Sequence, residues 1–69
     1  MLLNEKLIQL RQERGLSRFE LSMLCGHPAE TIRALEQGRS KNPRSILLRD
    51  LAKAFDISVL DLIDCLPEK

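Results

Sequence analysis

Phe19-Glu20-Leu21-Ser22-Met23-Leu24-Cys25-Gly26-His27-Pro28-Ala29-Glu30-Thr31-Ile32-Arg33-Ala34-Leu35 reads as two short helices joined at one glycine. The first carries its apolar anchors at Leu21 and Cys25, an i,i+4 pair. The second carries Ile32 and Leu35, an i,i+3 pair. Both spacings put the two side chains on one helical face. Between the helices, Gly26 can take the positive φ that an abrupt turn requires. Pro28 suits the first turn of the second helix, which then runs to near Gly38.

Working outward, Ser17 followed three residues later by Glu20 is a capping box that opens the first of these helices. Before it, Leu3, Leu7 and Leu10 share one face of a helix from Leu3 to Arg14, and Gly15 ends that helix. After the pair, Gly38-Arg39-Ser40-Lys41-Asn42-Pro43 is a polar loop by its glycine and proline content. A fourth helix follows from about Arg44 to Phe55, with Leu48, Leu51, Ala52 and Phe55 at i, i+3, i+4, i+7. Asp56-Ile57-Ser58 is a link. Ser58 and Asp61 repeat the capping pattern more weakly, and a fifth helix runs from Val59 to Leu66 before Pro67. There is no internal repeat and no alternating strand pattern. The expected fold is all-α, a compact five-helix bundle in a single domain over residues 1–69, with its core at about 3–66.

Sixty-nine residues support one small core, and helices are a better use of it than a large binding cavity. No run is apolar and long enough to span a membrane. Met1-Leu2-Leu3-Asn4-Glu5-Lys6 lacks the features of a signal peptide, so a cytoplasmic protein is expected. Two cysteines, Cys25 and Cys65, make no disulfide framework. Cys25 sits at a core position and reads as a small buried hydrophobe. Cys25 and His27 alone cannot build a metal site, which needs three or four ligands, and a core-facing thiol is a poor nucleophile. Neither a metal, a cofactor nor an enzymatic activity is expected. The absence of tryptophan and tyrosine argues against stacking on single-stranded nucleic acid.

The net charge of +1 conceals an asymmetry. Residues 1–53 carry ten Lys/Arg against six Asp/Glu, whereas residues 54–69 carry four Asp/Glu against Lys69. Between Gln37 and Arg49 every charge is positive: Arg39, Lys41, Arg44 and Arg49. Scattered surface charge is one account of this. The other starts from the layout of the opening stretch, which is that of a helix-turn-helix, whose second helix enters the DNA major groove. Beside such a motif, a basic half reads as a phosphate-facing side.

Leu10-Arg11-Gln12-Glu13-Arg14-Gly15-Leu16-Ser17 with Glu20-Leu21 resembles the opening of the lambda-repressor-like, Cro-type (XRE-type) helix-turn-helix family. Gly26, Thr31-Ile32, Leu35-Glu36-Gln37-Gly38-Arg39, Asn42-Pro43, Leu51-Ala52-Lys53-Ala54-Phe55 and Ile57-Ser58-Val59 continue the match in order, over about residues 3–63. The resemblance implies a five-helix bundle that binds a DNA operator as a two-fold dimer. It implies that Arg11 and Glu36 pair and pin helix one to the recognition helix. Independently, each lies one residue past a core leucine, Leu10 or Leu35, and so near the core edge.

On the recognition helix at about 28–37, Ala29, Glu30, Arg33 and Ala34 should face outward, because Ile32 and Leu35 point inward. Arg33 could bind guanine bidentately, Glu30 could accept from cytosine N4, and Ala29 could meet a thymine methyl. The alternative is an Arg33–Glu30 surface pair at i,i+3. Arg18, in the first turn of helix two, matches a phosphate-contact position of the family, and Ser17 and Thr31 join it as candidate phosphate contacts. Arg39, Lys41, Asn42 and Arg44 flank the loop that follows. Phosphate contacts position such a protein, and base contacts specify the sequence.

Two departures from the family pattern stand out. His27-Pro28 replaces the usual Ser, Thr or Asn, and solvent is the expected place of His27. Phe19, Met23 and Leu24 put apolar side chains on the outer face of helix two. They suit a protein partner, unless a Met1-Leu2-Leu3 arm covers them. In the last helix, Leu62 and Ile63 match family core positions, which leaves Leu60 and Leu66 as candidates for a homodimer interface. The expected function is a sequence-specific double-stranded DNA-binding transcriptional regulator, a repressor acting as a homodimer on a near-palindromic operator. The alternative is a protein-interaction adaptor of the antitoxin or anti-repressor type, working through the apolar patches.

Overall fold

The computed structural model describes residues 2–39 and 43–66, which form five helices and no strand. These are α1 Leu3–Glu13, α2 Arg18–Cys25, α3 Ala29–Glu36, α4 Ser45–Phe55 and α5 Val59–Ile63. Helix α3 packs on both α1 and α2; α4 packs on α2 and α5. One apolar cluster joins all five helices. Leu7, Leu21, Ile32, Leu35, Leu51, Phe55 and Leu62 are its fully buried members. Each such side chain contributes about 1.5–3 kcal/mol by leaving water. The periodicities that define the helices are therefore the ones that fill the core.

The caps are local. Ser17 Oγ accepts from the Glu20 N–H at 3.0 Å, and the Glu20 carboxylate accepts from the Ser17 N–H at 2.9 Å. That reciprocal box holds the Glu20 carboxyl below its ordinary value, with the backbone hydrogen bond from Ser17 as the largest cause. Gly26 has φ 76°, in the left-handed region, and its N–H closes α2 on the Ser22 carbonyl at 3.0 Å. At the end of α4, Asp56 takes φ 58°. Aspartate tolerates this conformation better than most side chains, so the link that starts at Asp56 is a helix stop of the same kind as Gly26.

Several boundaries differ from the sequence reading. Pro28 precedes α3 as its N-cap, with ψ 146°, and the helix closes at Glu36. Likewise Arg44 caps α4 from outside. Helix α1 stops one residue before Arg14, which instead reaches across the fold. Its Nη2 donates to the Phe55 carbonyl at 2.7 Å, and its guanidinium lies 5.4 Å from the centroid of the Phe55 ring. One of the last carbonyls of α4, which no helical N–H can reach, is thereby satisfied from a residue 41 positions earlier. Ser58 caps α5 by accepting from the Leu60 N–H at 3.2 Å; the Asp61 half of the expected box is not formed.

The last helix is shorter than expected and turned differently. It ends at Ile63, followed by tight turns in which the Cys65 and Leu66 N–H groups donate to the Leu62 and Ile63 carbonyls, both at 3.0 Å. Ile63, expected in the core, is 43 % exposed, whereas Leu66 packs half-buried against the core. Leu66 lies beyond the helix, where the turns bring it back against the core, while Ile63 is rotated about 100° from buried Leu62 and shares a face with exposed Leu60. Leu66 thus has a burial site within the chain's own core, and the exposed apolar side chains of α5 are Leu60 and Ile63. Of the Met1-Leu2-Leu3 arm expected over helix two, Met1 lies outside the described residues, and neither Leu2 nor Leu3 covers the patch. Leu3 enters the core, Leu2 is exposed, and Phe19, Met23 and Leu24 remain more than half exposed.

Candidate nucleic-acid interface

Helix α3 is amphipathic in the sense its sequence demands. Ile32, Leu35 and Glu36 are buried, Glu30 and Arg33 are exposed, and Ala29, Thr31 and Ala34 are half-buried beside them. The outer face is thus a shallow, small-residue strip edged by one acid and one guanidinium. Arg39, just past the helix, and Arg44, at the start of α4, are both exposed. Lys41 and Asn42 lie outside the described residues.

The charges on this face are not independent. Glu30 lies 3.9 Å from Arg33 Nη1 and 3.4 Å from Arg39 Nη2, and all three side chains are more than half exposed. The i,i+3 pair therefore exists, with Arg39 as a second partner that the sequence reading did not include. Such exposed pairs are worth about 0–1 kcal/mol and can be exchanged for a nucleic-acid contact at little cost.

Behind α3 a second acid is held quite differently. The Glu36 side chain is 0 % exposed. Arg11 Nε donates to its Oε2 at 2.7 Å and Arg11 Nη2 to its Oε1 at 3.3 Å, a bidentate pair. Arg11 Nη1 also donates to the Leu16 carbonyl at 2.9 Å, which ties the α1–α2 turn into the same network. Arg18, expected as a phosphate contact, donates from Nε to Glu36 Oε1 at 2.8 Å. A single buried carboxylate therefore joins α1, the first residue of α2 and the end of α3. Among the described residues, no buried side-chain nitrogen or oxygen lacks a hydrogen-bond partner. The signal for Arg18 was faint: a guanidinium at a helix start, with no local acid placed to explain it.

The turn before α3 is clamped as well. His27 Nε2 lies 2.8 Å from Asp50 Oδ2 on α4, and both side chains are mostly buried. His27 is therefore not a solvent group, as the sequence suggested. It bridges 23 positions, which no local pattern reveals. Cys25 is buried, and that burial pushes its thiol above the ordinary value, the opposite of what a nucleophile needs. Ser17 spends its hydroxyl oxygen on the cap and stays exposed.

Comparison with known proteins agrees with this geometry. The model of the family described as Helix-turn-helix matches residues 7–62. The uncharacterized HTH-type transcriptional regulator y4dJ of Sinorhizobium fredii (strain NBRC 101917 / NGR234) is 34 % identical over 62 residues, which cover 90 % of this chain and 79 % of the relative. The structure of SinR, the master regulator for biofilm formation, in complex with DNA superposes with a TM-score of 0.86 at 27 % identity, covering 91 % of this chain and 100 % of that one. This chain belongs to the helix-turn-helix family, in its XRE-type branch of DNA-binding transcriptional regulators.

Proposed function

We propose that this chain is a sequence-specific repressor that binds a near-palindromic operator in double-stranded DNA as a homodimer, in the cytoplasm. The observation that carries the reading is the outer face of α3, where Glu30 and Arg33 project between half-buried Ala29 and Ala34 while Arg39 and Arg44 stand exposed on the following segments. Arg33 reads guanine and Glu30 accepts from cytosine N4; Ala29 and Ala34 allow close approach to the groove floor. Ser17, Arg18, Thr31, Arg39, Lys41, Asn42 and Arg44 supply the phosphate side. Leu60 and Ile63, exposed on one face of α5, serve the two-fold contact, which sets two recognition helices about 34 Å apart. Occupying an operator blocks transcription without any catalytic step. Selection of bound sequences from random duplex DNA tests the reading. An enriched palindrome whose binding weakens steeply with salt supports it, because neutralised phosphates release counterions.

A second reading has its own observation. Phe19, Met23 and Leu24 put an apolar face on α2 that nothing among the described residues covers. Such a face suits an adaptor that docks another protein. Partner binding that is insensitive to salt, together with no enriched DNA sequence, favours that reading.

A further inference from the structure

We propose that Arg18 is a phosphate anchor whose aim is set by Glu36 at the end of the recognition helix, so that backbone gripping and base reading are coupled through one buried carboxylate. The inference rests on the duplex-DNA reading above and deepens it. Arg18 is the first residue of α2, and Glu36 closes α3. The bond between them is 2.8 Å long and uses only the Nε edge of the guanidinium. The two terminal nitrogens of Arg18 make no hydrogen bond to any described residue, and the side chain is 41 % exposed. A guanidinium has five donors in a rigid plane. One edge can therefore stay on Glu36 while the other meets an anion.

Glu36 is well suited to this task because it cannot wander. Its carboxylate is buried and pinned from the far side by Arg11 Nε at 2.7 Å. Two arginines share one acid, so the cluster carries an uncompensated positive charge, and the exposed edge of Arg18 is where that charge meets solvent. The rotamer freedom that a surface arginine loses on gripping a phosphate is already spent in the free protein, which lowers the entropy cost of binding. Any shift of the end of α3 moves the anchor with it. Arg44 offers the contrast. It is exposed, it flanks the same face, and among the described residues it makes no ion pair or side-chain hydrogen bond. There only the charge matters.

The test exchanges arginine for lysine at both sites. A lysine keeps the charge but has a single ammonium, which cannot hold Glu36 through one edge and a phosphate through the other. Arg18→Lys, Arg18→Gln, Arg44→Lys and Arg44→Gln are titrated against a selected duplex over a range of salt, at a temperature where circular dichroism shows each variant folded. Arg44→Lys is expected to lose less affinity than Arg18→Lys, and Arg44→Gln to lower the salt slope by about one. Arg18→Gln is expected to lose roughly tenfold in affinity at about 0.1 M salt, with the same drop in slope. Arg18→Lys is expected to bind at least about threefold more weakly than wild type, because its charge is no longer aimed. Folded Arg18→Lys that binds as wild type overturns the proposal, since charge alone then suffices. Folded Arg18→Gln with unchanged affinity and slope also overturns it, and leaves Arg18 a purely structural partner of Glu36. A wild-type chain with no salt-dependent duplex binding overturns the DNA reading itself, and this proposal with it.

Discussion

Two glutamates on α3, Glu30 and Glu36, each sit between two arginines, yet they do opposite work. Glu36 is fully buried, with its arginines at 2.7 and 2.8 Å. Glu30 is 70 % exposed, with its arginines at 3.4 and 3.9 Å. The residue types are the same and the helix is the same. What differs is water. In the interior, a carboxylate without its partners is an uncompensated buried charge, so the network is obligatory. At the surface, solvent replaces a lost partner almost without cost, so the pairs are exchangeable. An exchangeable pair on the outer face of a recognition helix suits a group that trades a protein contact for a base or a phosphate. An obligatory pair suits a group that holds the helix in place.

The sharpest way to break this comparison is to remove each acid. Glu36→Ala strands two arginines and should cost about 3–5 kcal/mol of stability, whereas Glu30→Ala should stay within about 0.5 kcal/mol of wild type. Denaturant melts of both variants decide it; equal losses would erase the distinction. A double-mutant cycle sharpens it further, with clear coupling expected for Arg11 with Glu36 and little for Arg39 with Glu30.

Next in size is the effect on recognition. Arg33→Ala should cost about 1–3 kcal/mol on the preferred site and relax specificity at one base pair. If all sequences weaken together in a binding selection, Arg33 grips phosphate, and the exposed network is electrostatic without being a reader.

A smaller effect is expected at the far end of the molecule. Leu60→Glu puts a charge on the exposed face of α5 and should lower operator affinity several-fold by weakening dimerisation, on the order of one buried apolar side chain. Sedimentation with an unchanged monomer–dimer equilibrium would remove Leu60 from the interface and turn attention to Phe19 and Met23.

The smallest effect belongs to a third glutamate. Glu20 is fully exposed but has its carboxyl held below the ordinary value by Ser17. A carboxyl whose folded value is depressed stabilises the fold above its unfolded value. That contribution disappears as pH falls through the lower folded one. Acid titration should thus loosen the start of α2 in the window just below the ordinary glutamate value, and Glu20→Gln should flatten that part of the profile. An identical acid profile for the variant would show that the cap's charge does not matter.

Much of the architecture was legible because it is local. Ser17 and Glu20, Gly26 at the turn, and the i,i+3 and i,i+4 rows of leucine act within one or two helical turns, where spacing and side-chain chemistry suffice. Features that depend on the tertiary packing or on long side-chain reach are not legible in this way. Ile63 is placed in the core by its match to family core positions, and a helix of five residues offers little periodicity of its own against which to check that placement. The Arg11–Glu36 pair came from family resemblance, since 25 positions separate its members.

By itself, then, the sequence determined the order of five helices, the Ser17–Glu20 box, the Gly26 stop, most of the inward rows that build the core and the outward strip of α3, because each depends on near neighbours along the chain. Only the tertiary structure decided which long polar side chains meet. Arg18 reaches Glu36 across 18 positions, His27 reaches Asp50 across 23, and Arg14 reaches the Phe55 carbonyl across 41. Arginine and histidine side chains are long and can point in many directions. Their partners are chosen by which helix ends the packing brings together, and by how much water that packing leaves between them.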